Sequence, residues 1–232
     1  MKITWDRVIG IAATLASIPA ILDLFHGERT REGLLFGALS LLIFGVLIYR
    51  RWEEKQPLFS YIEIHKELMF LDAAGNVATM ETRATTKANH TGIQQLWFRN
   101  INADGDVKNF TIDSTPATSQ RKAGSWEVCK QFDRPLRRGD IVSVTLRYEL
   151  HQAFSGPTEG MTHVTATKTN KLVVRIKFHQ NKVGRNPRAF VGKGSEVEEA
   201  LDLPQALDNG QTFEVVIDKP KLGAYYTIEW TW

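Results

Sequence analysis

One cysteine, Cys129, occurs in 232 residues. No disulfide can form within the chain, and no thiolate-rich zinc site can be assembled. The six histidines, His26, His65, His90, His151, His163 and His179, show neither HxxxH nor HExxH spacing. Also missing are GxxxxGK followed by Ser or Thr, GxGxxG and GxSxG. These gaps argue against a phosphate-loop nucleotidase, a dinucleotide-binding sheet and a nucleophile-elbow hydrolase. What resembles chemistry has a plainer reading. Cys129 beside Lys130 is a packed thiol, Asp104 and Asp106 flank a turn glycine, and Glu198–Glu199 form a solvated helix face. No catalytic residue, metal or cofactor is expected, so the chain reads as a non-enzyme.

Charge is also missing from two places. Of 55 charged side chains only 13 lie within residues 1–55, with none between Val8 and Leu22 or between Gly33 and Tyr49. Val8–Phe25 and Gly33–Tyr49 are apolar on every face, which predicts two membrane helices joined by the polar turn His26–Glu32. A buried helical hairpin is the alternative. Lys2, Arg7, Arg50, Arg51 and Lys55 flank the pair on one side. The positive-inside rule then puts both termini in the cytoplasm, with the chain in the inner membrane and the lipid bilayer as its partner. Ala12, Ala16 and Ala20, then Gly33 and Gly37, recur at intervals of four. That spacing suits close helix packing, within the hairpin or between copies of a homo-oligomer.

From residue 57 the period becomes two. Val142, Val144, Leu146, Tyr148 and Leu150 alternate with Ser143, Thr145, Arg147 and Glu149. Leu172–Phe178, Phe213–Ile217 and Tyr226–Trp232 repeat the pattern, and less regular strands are expected at Tyr61–Leu71, Val77–Lys87, Ile93–Ala103, Val107–Asp113, Trp126–Phe132 and Met161–Thr167. Asp104-Gly105 reads as a hairpin turn, and Glu196–Leu207 as a short helix. The predicted fold is a membrane-anchored all-β protein. Residues 1–56 supply the hairpin and linker, and residues 57–232 a cytoplasmic antiparallel β-sandwich, or small closed barrel, of nine or ten strands.

Net charge is +3, but it is unevenly spread. Lys168, Lys171, Arg175, Lys177, Lys182, Arg185, Arg188 and Lys193 make eight bases with no acid between Gly160 and Ser195. Glu196–Asp218 follows with seven acids and no base. Guanidinium forks grip phosphate oxygens, and Phe190 could stack on a base. Lys168, Lys171, Lys177, Lys182, Arg185, Arg188, Phe190 and Lys193 are therefore candidate ligand residues for a nucleotide-type anion. A cationic strand edge, pairing with the acidic block, and anionic lipid are the competing explanations. Duplex nucleic acid is not expected.

Two apolar stretches, a short charged linker and an all-β region ending Tyr226-Thr-Ile-Glu-Trp-Thr-Trp232 resemble the two-transmembrane, β-strand-rich effectors of bacterial anti-phage signalling of the CBASS type. The resemblance implies a β domain that senses a cyclic oligonucleotide and hairpins that oligomerise to disrupt the membrane. The alternative is a membrane-tethered adaptor whose β domain binds a partner protein, encoded nearby, or anionic lipid.

Overall fold

The computed structural model describes residues 39–49, 51, 56–193, 196–202 and 204–232. It divides into two units, Met1–Gln56 and Pro57–Trp232. In the first unit, residues 39–49 are helical, and the side chains of Leu41, Leu42 and Ile43 are exposed. No helix among the described residues is long and apolar enough to cross a membrane. This corrects the two-span hairpin and, with it, the inner-membrane placement. Val8–Phe25, Ala12, Ala16, Ala20, Gly33 and Gly37 lie outside the described residues.

Among the described residues the second unit contains fifteen strands: β1 (Phe59–Phe70), β2 (Val77–Ala88), β3 (Ile93–Ile101), β4 (Asp106–Ile112), β5 (Thr115–Pro116), β6 (Ser119–Lys122), β7 (Ser125–Leu136), β8 (Ile141–His151), β9 (Thr158–Val164), β10 (Thr169–Lys177), β11 (Arg185–Lys193), β12 (Glu196–Ala200), β13 (Gln205–Leu207), β14 (Thr212–Asp218) and β15 (Tyr225–Thr231). They form three open sheets, ordered β13-β14-β10-β1-β2-β8-β4-β5, β12-β11-β15-β9 and β3-β7-β6. The expected two-sheet sandwich or closed barrel is thus corrected to three sheets sharing one hydrophobic cluster. The expected helix at Glu196–Leu207 is instead β12 and β13, which pair with β11 and β14.

Period-two burial builds these sheets. On β8, Val144, Leu146, Tyr148 and Leu150 are buried, while Ser143 and Arg147 are exposed. Between β1 and β2 the Asp72 carboxylate accepts hydrogen bonds from the Asn76 and Val77 amides, both at 2.9 Å, fixing the turn. β1 and β10 are parallel, with Ile64 opposite Leu172 and Lys66 opposite Val174. Parallel pairing needs a crossover, and here all of β2–β9 provides it. Alternation in a strand records which face is buried but not its direction, so the sequence reading made the domain wholly antiparallel.

Asp104-Gly105 makes no hairpin either, because β3 and β4 belong to different sheets. Asp106 pairs instead with His151 at the end of β8. A Cβ built on Gly105 would stand 2.1 Å from the His151 carbonyl oxygen. The glycine permits this close backbone approach.

Candidate ligand-binding cleft

A β-bulge in β1 decides what faces the interior. Tyr61 pairs with Thr86 and Glu63 with Thr85, so Ile62 is the extra residue. Beyond it Ile64, Lys66, Leu68 and Phe70 share one face, and all but Lys66 are buried core residues. Glu63, His65 and Glu67 take the opposite face. Lys66 thereby sits among apolar side chains, with Thr82 opposite it on β2 and Leu146 beyond that on β8.

The inner face of the large sheet does not close fully against its neighbours. Between it, β3 of the three-stranded sheet and β9 of the four-stranded sheet lies a cleft of about 910 Å³. Ile64, Met80, Leu96, Phe98 and Leu146 give it apolar walls, and Tyr61, Lys66, Tyr148, His163 and Thr165 are polar residues along its lining. Such a volume and mixture are those of small-molecule sites.

Those polar groups are poorly satisfied. Burial pulls the Lys66 amine down to about 8, and no ion pair reaches it among the described residues. His163 is lowered to about 2, mainly by burial and further by the charge on Lys66, so its ring is neutral. His163 Nε2 and Thr165 Oγ1 are buried without hydrogen-bond partners. Burial raises Tyr61 and Tyr148, which keeps both phenols protonated. Buried polar groups are normally paired, and each exception costs on the order of 1–3 kcal/mol. Two of them, on residues that line the same hollow as Lys66, mark it as a candidate site.

The basic residues singled out in the sequence lie elsewhere, and the fold disperses them. Lys171, Arg175 and Lys177 occupy the outer face of β10. Lys171 pairs with Glu63 at 3.3 Å, Lys177 with Glu67 at 3.8 Å, and Arg175 donates to Glu214 at 2.8 Å and to Glu67 at 3.5 Å. Of the acidic block, Glu214 on β14 is thus spent on Arg175 of the basic one, while Glu63 and Glu67 belong to β1. Lys168 is exposed before β10, and Arg185 and Arg188 are exposed on β11 of a different sheet, near half-buried Phe190. Lys182 stands 3.7 Å over the Trp232 ring. Lys193 is the last residue of β11.

A second hollow of about 380 Å³ is bordered by Trp97, Cys129 and Lys130. Burial raises the Cys129 thiol, which disfavours the nucleophilic thiolate, and Lys130 is paired with Asp113 at 2.9 Å.

Lys66 and His163 lie outside the runs of charge that mark the sequence. Their signal was phase. Ile64-x-Lys66-x-Leu68-x-Phe70 and Met161-x-His163-x-Thr165 each place a polar residue in step with a buried face.

No protein-family model matches the chain, and no curated protein is similar to it in sequence. Solved structures resemble it distantly. The M1 zinc metallopeptidase from Deinococcus radiodurans aligns at 12% identity and a TM-score of 0.44, over 73% of this chain and 42% of that one. Native yeast LTA4 hydrolase aligns at 12% identity and a TM-score of 0.42, over 74% and 29%. A putative protease from Parabacteroides distasonis aligns at 9% identity and a TM-score of 0.47, over 76% and 41%. The chain therefore spans less than half the length of these structures. Among the described residues no cluster of His, Cys, Asp and Glu could hold a metal ion.

Proposed function

We propose that the β unit is a non-enzymatic receptor: a small organic ligand occupies the cleft and alters how the unit engages a second copy of the chain or a partner protein. The observation that carries this reading is a hollow of about 910 Å³ lined by Lys66, which no ion pair reaches among the described residues, and backed by the buried, unpaired His163 Nε2 and Thr165 Oγ1. The cleft touches all three sheets, so its occupant contacts each of them at once. A ligand shifts a conformational equilibrium only by its differential affinity for the two states, and contacts to three sheets supply the means. The cyclic oligonucleotide implied by the sequence-level resemblance belongs to the ligands to be tried. Docking by strand addition is disfavoured at three of the six sheet edges, since β5 and β13 have two and three residues and β6 carries Arg121 and Lys122; β3, β9 and β12 are the other three.

The test is a thermal-shift screen of the full chain against cyclic di- and trinucleotides and a set of aromatic and aliphatic organic acids. A saturable rise in melting temperature with at least one of them is expected. No shift with any of them would refute the reading.

A further inference from the structure

Charge on the cleft walls narrows the ligand class, given the reading that the cleft is a ligand site. Seven titratable side chains line it: Tyr61, Lys66, Arg99, Asp104, Tyr148, Glu159 and His163. Of those facing the interior, the two phenols and the His163 imidazole are neutral, which leaves Lys66 as the one internal charge. Arg99 is exposed, lies 3.7 Å from Glu127 and stands over the Trp97 ring at 5.7 Å. Asp104 is exposed and Glu159 half-buried, and the two carboxylates sense one another. An entering ligand thus meets one unpaired cation and two carboxylates. Each further phosphate on a polyanion would meet an acid or an apolar wall.

We infer that the cleft selects a singly charged organic acid, its anionic group seated on Lys66 and its apolar body against Ile64, Met80, Leu96 and Leu146, in preference to a polyanion such as a cyclic oligonucleotide. A carboxylate or sulfonate at Lys66 gains a charge-assisted hydrogen bond in a poorly solvated site. The aromatic rings of Tyr61, Phe98 and Tyr148 suit a flat body as well as an aliphatic one.

Two dyes with one ring system separate charge from shape. 8-Anilinonaphthalene-1-sulfonate is a monoanion, and N-phenyl-1-naphthylamine is its neutral counterpart. Each is titrated by fluorescence into the full chain as wild type, Lys66→Met and Lys66→Arg, and acetylation of Lys66 by acetic anhydride is read by mass spectrometry with and without dye. Wild type should bind the anion about tenfold more tightly than the neutral dye, and the anion should protect Lys66 from acetylation. Lys66→Met should lose that preference while holding the neutral dye, and Lys66→Arg should restore most of it. Cyclic di-AMP should displace the anionic dye poorly.

Protection of Lys66 by both dyes alike, with no loss in Lys66→Met, would overturn the charge assignment and leave the cleft as a ligand site. Displacement by cyclic di-AMP at lower concentration than by dodecanoate would overturn the preference for a monoanion. If neither dye nor cyclic di-AMP protects Lys66, the cleft itself falls and the inference with it. Footprinting on the wild-type chain yields an answer even if a variant fails to fold.

Discussion

Replacing Lys66 by methionine should make the protein more stable, and the gain should depend on pH. The two side chains share an unbranched apolar stem, so the substitution removes the ammonium and little packing. Burial lowers the Lys66 amine from 10.5 to about 8. At 1.36 kcal/mol per unit, that difference corresponds to about 3 kcal/mol against the folded state wherever the amine is charged in both states, below pH 8. Between pH 8 and 10.5 the folded lysine has lost its proton while the unfolded one keeps it. The unfolded state then binds more protons, and wild-type stability rises with pH across that window. Lys66→Met lacks this term. Its advantage should be about 2–3 kcal/mol at pH 7, shrinking toward zero by pH 10.5. With a urea slope of about 2 kcal/mol per molar, the midpoint at pH 7 moves up by about 1 M. Urea unfolding of the full chain at pH 7, 8.5 and 10, followed by tryptophan fluorescence, measures this. A variant no more stable than wild type at pH 7, or equally advantaged at pH 7 and 10, would refute a buried amine without a partner.

Three further outcomes follow from the same physics. His163 is held down to about 2 against 6.5 unfolded, so as pH falls below 6.5 only the unfolded state takes up its proton; wild type should lose about 1 kcal/mol per pH unit relative to His163→Leu, in matched denaturant series at pH 6.5, 5.5 and 4.5. Removing the shared guanidinium in Arg175→Met leaves Glu67 and Glu214 facing each other across β10; for this partly exposed network the loss should be about 1–2 kcal/mol and should diminish in 1 M salt. In Gly105→Ala the new methyl meets the His151 carbonyl oxygen, which is backbone and cannot rotate away; destabilisation of about 1–3 kcal/mol, read as a lowered melting temperature, is expected.

Strands were legible where one face is apolar throughout. β8, β10, β14 and β15 lie where alternation placed them, because Val, Ile, Leu, Tyr and Trp in every second position leave a single face to bury. Pairing was less legible. Asp104-Gly105 has the composition of a two-residue hairpin, yet the chain uses it to move from the three-stranded sheet to the eight-stranded one. A turn signal marks where the chain bends, and the partner on either side is chosen by burial far away in sequence. The same holds for β1 beside β10, brought together in parallel from more than a hundred residues apart. Of the apolar run at Gly33–Tyr49 the described portion, residues 39–49, is helical, and no helix among the described residues is long and apolar enough to cross a membrane.

The block of eight bases looked like a site because sequence proximity concentrates charge on paper. In the sheets, successive residues point to opposite faces and successive strands join different sheets. Lys171, Arg175 and Lys177 therefore meet the acids of β1 and β14, while Arg185 and Arg188 lie on another sheet. Lys66 is the reverse case: a single lysine between two acidic neighbours in sequence, Glu63 and Glu67, yet separated from both by its place on the pleat. The bulge at Ile62 sets that phase. A cation so placed opposes folding unless a partner neutralises it. The cleft it faces has room for one that the chain does not itself supply.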